Sequence, residues 1–137
     1  MSDYATTTTT ARNPVMDPTV YWRVSAFALT ATALLGIVLN AMDQGTLLGA
    51  DFLAFDWGHN ILHVVLAGAA FLFGFGNLPA NLVRTFTIVF GVVYGGLGVL
   101  GFFVSDLGGF IHLELGENLI HLLLGAWGLV AGFGSKA

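Results

Sequence analysis

Four stretches of this chain have the length and make-up of bilayer-crossing helices: Arg23 to Met42, Gly58 to Gly76, Leu82 to Val104, and Gly116 to Phe133. A hydrocarbon core takes about 20 mostly apolar residues per helical crossing. The four stretches use most of the 137 residues, so no soluble catalytic domain is left over. Backbone groups in lipid must be satisfied internally, which restricts spanning structures to helices and closed barrels. Apolar runs of this length select helices. Charged residues are 9% of the chain, against about 25% in an average soluble domain. There is no cysteine, which excludes disulfides, thiolate metal sites and cysteine nucleophiles.

The few charges are sorted. Arg12, Arg23, Arg84 and Lys136 all lie before the first span, between the second and third, or after the fourth. The two other loops carry Asp43, Asp51, Asp56, Asp106, Glu114 and Glu117 and no Lys or Arg. The positive-inside rule counts Lys and Arg near the ends of spans. It puts both termini in the cytoplasm and the acidic loops outside. The first 20 residues hold the run Thr6 to Thr10 and two prolines, Pro14 and Pro18. Lacking apolar periodicity, residues 1–20 read as a flexible cytoplasmic tail. Tyr21 and Trp22 then fall where interfacial aromatics anchor a helix. The first span is expected to stay in place and not to be cleaved as a signal peptide. Leu39-Asn40-Ala41 makes a poor cleavage pattern.

Two segments are versions of one another. Asp56 to Gly76 laid over Glu114 to Gly134, at a spacing of 58, matches at Gly58/Gly116, Asn60/Asn118, His63/His121, Leu66/Leu124, Gly74/Gly132, Phe75/Phe133 and Gly76/Gly134. Arg23 and Arg84 each stand before a long apolar run in the preceding span. The expected fold is therefore all-α: a four-helix transmembrane domain over residues 21–137. It comprises two tandem helical hairpins, repeat one at 21–77 and repeat two at 79–135. Each hairpin crosses the membrane an even number of times. The two should then be related by a pseudo-twofold axis along the membrane normal.

Both copies place an Asn and a His in sequence otherwise fit for lipid. Steps of four and three residues keep to one helix face. From Asp56 they visit Asn60, His63, Ala67, Ala70 and Gly74, and from Glu114 they visit Asn118, His121, Gly125, Gly128 and Gly132. Each face is polar at its outer end and small at its inner end. Small residues let membrane helices come close, and polar ones hydrogen-bond across the contact. The two faces are expected to meet, with His63 reaching Asn118 and His121 reaching Asn60, or with both pairs bridged by water. Asp56, Glu114 and Glu117 form the outer rim of this polar cluster.

Structural glue is the plain role for such a cluster, since an unpaired amide or imidazole in hydrocarbon costs several kcal/mol. A ligand site is the alternative, because ionisable groups inside a membrane mark function by default. His63 and His121 could hold a b-type haem between two helices. A metal could draw on His59, His63, His112, His121, Asp56, Glu114 and Glu117, although no HExxH is present and the spacings fix no metal. No cofactor is expected. A transporter or channel needs a polar path through the membrane, and both faces turn to Ala and Gly below the histidines. In the third span, Gly91-x-x-x-Gly95 reads as a close-packing site. Four basic residues spread along the chain exclude nucleic acid as a partner.

The Asn60-x-x-His63 and Asn118-x-x-His121 pairs, together with the Arg84 to Gly101 helix and its Tyr94 and glycines, resemble a family of uncharacterised prokaryotic four-helix membrane proteins, domain of unknown function 4383. The resemblance covers Arg23 to Gly134. It implies a bacterial or archaeal cell membrane and brings no activity, cofactor or catalytic residue. The expected function is that of a small integral membrane protein, not an enzyme. It would be a structural or accessory component that meets lipid and either other membrane proteins or copies of itself.

Overall fold

The computed structural model describes residues 13–44, 46–47 and 52–135. Arg12, Asp51, Lys136 and the start of the expected tail lie outside these residues. A single 3-10 turn, Pro14–Met16, leads into four helices. They are α1 (Pro18–Ala41), α2 (Trp57–Phe75), α3 (Ala80–Leu100) and α4 (Leu115–Gly134). All four are long and apolar enough to cross a membrane, so the chain is an all-α, multi-pass membrane protein. Two small antiparallel ribbons sit between helices at the end of the bundle away from Pro14 and Ser135, the outer end in the expected topology. β1 (Thr46–Leu47) pairs with β2 (Leu53–Ala54), and β3 (Asp106–Leu107) pairs with β4 (Ile111–His112). The second ribbon turns through Gly108 and Gly109, both at positive φ (71° and 72°), where glycine carries no steric cost.

α1 starts inside the segment expected to be tail. Asp17 caps it, its side chain accepting from Thr19 N at 2.8 Å, and Pro18 opens the first turn. Proline is pre-set for that position because its missing N–H has no helical partner there. Tyr21 and Trp22 are likewise not interfacial anchors but fully buried, at 0% and 2% exposure. Their polar ends are satisfied inside the bundle. The Tyr21 hydroxyl donates to Leu124 O at 3.2 Å, and Trp22 Nε1 donates to Thr87 Oγ1 at 2.8 Å. With Ala26, Leu29, Ala67, Ala70, Val83 and Ala131 they make the inner core.

The surface is apolar and the interior holds the polar groups. Phe27, Val65, Val92 and Leu123 are exposed on the bundle's outside, whereas Ser25, Thr87, Asn60, Asn118, His59, His63, His121 and Glu117 are buried. An apolar surface of that extent belongs against lipid.

α1 packs intimately on α2, and α3 on α4. This overturns the expectation that the small faces of α2 and α4 meet. A Cβ added at Gly125 would fall onto Gly95, and one at Gly91 would lie 2.8 Å from Leu129 N. A Cβ at Gly74 would lie 2.9 Å from Arg23 N. Each small stripe is thus taken up by the helix before it in sequence. The physical reason is that α1 and α3 supply small residues of their own, such as Gly36 and Gly91, so each hairpin closes on itself.

Two arginines mark the end of the bundle opposite the ribbons. Arg23 Nε donates to Gly74 O at 2.8 Å, and Arg84 Nε donates to Gly132 O at 2.9 Å. Each cation sits on the last carbonyls of the neighbouring helix, where the helix dipole favours positive charge.

Candidate functional site

The polar groups gather at the N-terminal ends of α2 and α4. Asp56 is the N-cap of α2. Its Oδ1 accepts from His59 N at 2.7 Å, and its Oδ2 accepts from His112 N at 3.2 Å. The His112 ring nitrogen Nδ1 lies 3.5 Å from the same oxygen. Asp56 therefore ties the start of α2 to the second ribbon. Partial burial pushes its carboxyl up, but the hydrogen bonds from His59 and His112 push it down harder and hold its pKa below the usual carboxylate value.

The ribbons cross over in the same manner. Gly116 N donates to Phe52 O at 2.8 Å, so the first ribbon's segment lies on the start of α4. A Cβ at Gly58 would fall onto the Phe110 carbonyl and ring, so the second ribbon's turn lies on the start of α2. At both places only a glycine leaves room for the crossing backbone.

Beneath these caps lies a cluster of three imidazoles and a carboxylate. His59, His63, His121 and Glu117 are 4%, 7%, 5% and 5% exposed. His59 Nδ1 lies 3.3 Å from Glu117 Oε1, close in distance but not aligned as a hydrogen bond. The other oxygen of Glu117 accepts from Glu114 N at 3.4 Å and completes a capping box at the start of α4. The His59 ring centroid is 4.4 Å from that of His63 and 6.1 Å from that of His121. Tyr94 of α3 meets His121 edge-on at 4.9 Å. His63 and His121 each sit six residues into their helices, a depth of about 9 Å along the axis.

The direct Asn–His bonds are not made. Asn60 packs against Gly36 of α1, and Asn118 against Gly101 at the end of α3. Asn118 Nδ2 donates to Leu113 O at 3.5 Å, while both side-chain atoms of Asn60 are buried without a partner. His63 Nδ1 and His121 Nδ1 are in the same condition. The Asn residues serve their own hairpins, because each helix pair closes first and draws them to its glycines. Within the cluster, the closest approach between α2 and α4 is instead that of His59 and Glu117. The sequence carried one signal of this. Residues 59 and 117 are counterparts at the spacing of 58, and they are complementary, a base in one copy and an acid in the other. Among the described residues, no group of three His, Asp or Glu side chains is arranged to hold a metal ion.

The cluster closes the outer end of a cleft of about 390 Å³ between α2 and α3, and it borders a smaller one of about 60 Å³ between α1 and α4. Imidazoles can both donate and accept, so the arrangement can hold a polar group that arrives through lipid. Below His63 and His121 the stripe of α4 is closed by the Gly91 and Gly95 backbone.

The family described as Domain of unknown function (DUF4383) matches residues 79–134, from the residue before α3 to the end of α4. This stretch contains Arg84, Tyr94 and the Asn118-x-x-His121 pair. No curated protein and no solved structure matches the chain.

Proposed function

We propose that this chain is a non-catalytic protein of a prokaryotic cell membrane that serves as a structural or accessory component of a membrane assembly. It consists of two tandem hairpins, residues 21–77 and 79–135, related by an approximate twofold axis along the membrane normal. The paired arginine caps and the reciprocal crossing of the two ribbons support that symmetry. The contact of His59 with its own counterpart Glu117 supports it further, because equivalent residues can touch only at the axis. The accessory role rests on one observation. Below His121 the backbones of α3 and α4 close on each other at Gly125, and below His63 the α2 residues that line the cleft are apolar down to Phe73. The polar cluster therefore continues into no conducting path.

In native membranes solubilised in a mild detergent, the protein is expected to run in an assembly well above monomer mass. Deleting its gene is expected to lower the level of the assembly's other members. Monomeric migration together with an unchanged membrane proteome would contradict the role. The rival haem reading, with iron on His63 and His121, meets the His59 ring, which lies within 6.1 Å of both and takes up ground a porphyrin would need. A Soret band in protein purified from native membranes would revive it.

The orientation has its own test. An impermeant thiol reagent on intact cells is expected to label an Asp106→Cys variant and to spare an Arg84→Cys variant. Labelling at 84 would reverse the topology and place both termini outside.

A further inference from the structure

The cleft between α2 and α3 has properties that select one kind of occupant. It follows α2 from His59 to Phe73, 15 residues, or about 21 Å of helix. Its mouth is lateral. Phe86, Val89 and Val93 line it and are 44%, 51% and 51% exposed, so it opens on the hydrocarbon and not on water. Its walls offer flat surfaces: Phe90 stacks on Tyr94 with centroids 4.0 Å apart, and Trp22 on Phe73 at 5.0 Å. The volume of about 390 Å³ falls in the usual range for a small-molecule site.

The outer end of this apolar slot is polar. His59, His63 and His121 line it, and the Nδ1 atom of each is buried with no hydrogen-bond partner. All three side chains are more than nine-tenths buried. Buried polar atoms are nearly always partnered, so those of His63 and His121, unlike that of His59 with Glu117 beside it at 3.3 Å, call for groups brought by something else. An anionic head is disfavoured. Phosphate is held by Arg or Lys, and the described outer-end residues include Asp56, Asp106, Glu114 and Glu117 but neither Arg nor Lys.

We propose that this cleft binds a neutral, lipid-dissolved molecule with a flat carbonyl-bearing ring and a hydrocarbon tail, the chemistry of a membrane quinone. The ring lies against Tyr94 and Phe90. Its carbonyl oxygens accept hydrogen bonds from His63 and His121, and its tail runs past Leu66 and Ala69 to Phe73. The site stands whether or not the chain belongs to an assembly, so failure of either reading leaves the other intact.

The test uses the full chain in detergent micelles, with Trp57→Phe and Trp127→Phe so that Trp22 in the cleft is the sole tryptophan. A decyl-tailed benzoquinone is expected to quench Trp22 saturably at one molecule per chain. Decylbenzene, with the same tail and no carbonyl, is expected to compete at least tenfold more weakly, and so is a phosphatidylglycerol. His63→Leu with His121→Leu is expected to weaken quinone binding about tenfold. Ala69→Phe, which fills the cleft and leaves every histidine in place, is expected to abolish the saturable component, with helicity by circular dichroism unchanged. Equal binding of the quinone and decylbenzene would reduce the cleft to an acyl-chain slot and overturn the proposal. Full competition by the phospholipid, or quenching that never saturates, would overturn it equally.

Discussion

Replacing Gly125 with leucine is expected to destabilise the bundle by about 3 kcal/mol, near the upper end of ordinary overpacking. The added side chain would start on the Gly95 backbone, with Gly91 O 3.0 Å from its Cβ. Backbone atoms cannot rotate aside as a side chain can, so α3 and α4 must part along the contact. The same movement would loosen Gly91 and Gly128, whose close approach forms the rest of that seam. Van der Waals contact and interhelical hydrogen bonds, not water exclusion, hold membrane helices together, so a widened seam has little to replace it. Gly68 provides the comparison. A Cβ there meets nothing within 4 Å, and Gly68→Leu should be neutral or slightly stabilising through helix propensity. Reversible unfolding in mixed micelles measures both. Equal effects of the two changes would mean that α3 and α4 do not pack through Gly125.

The second large effect is expected at His59 and Glu117. His59→Leu takes from the buried Glu117 Oε1 its polar neighbour at 3.3 Å, and stranding a buried polar group costs about 1–3 kcal/mol. Glu117→Leu strands His59 in the same manner. It also removes the acceptor for Glu114 N at the start of α4, at an added cost of about 1 kcal/mol typical of a lost cap. The double variant removes both members and should recover much of the loss. A double-mutant cycle is expected to return a coupling of about 1–3 kcal/mol, as found for contacting residues. Strict additivity would mean that the two side chains do not meet.

The spans were legible because hydropathy over 20 residues is a strong signal and the charges between them are few. The pairing of the small stripes was not legible. Periodicity shows that Ala67, Ala70 and Gly74 share a face, and likewise Gly125, Gly128 and Gly132. It does not show which neighbour accepts that face. Small residues on α1 and α3, among them Gly36, Gly91 and Gly101, decided the matter in favour of the preceding helix. Asn60 and Asn118 were drawn to those glycines, which left His63 and His121 without the amides expected for them. The pairing of His59 with Glu117 was not legible because an alignment of copies rewards identity, and these two are complementary and not alike. Tyr21 and Trp22 misled for another reason. An amphipathic aromatic at a span's end suits the interface, but it also suits a core that offers a carbonyl or hydroxyl, here Leu124 O and Thr87 Oγ1. The ribbons have strands of two residues, too short for any period to register, although Gly108-Gly109 does announce a turn.

His59 of α2 and Glu117 of α4 meet where the α1–α2 pair faces the α3–α4 pair. The chain has no cysteine, so thiols can be placed there without background. A variant carrying His59→Cys and Glu117→Cys, treated in membranes with a short thiol-to-thiol reagent, is expected to link within one chain. The yield should not fall when the variant is diluted with cysteine-free copies, and pairing His59→Cys with Arg84→Cys at the opposite end should give no link. Absence of the 59–117 link, or links formed only between separate chains, would contradict the account.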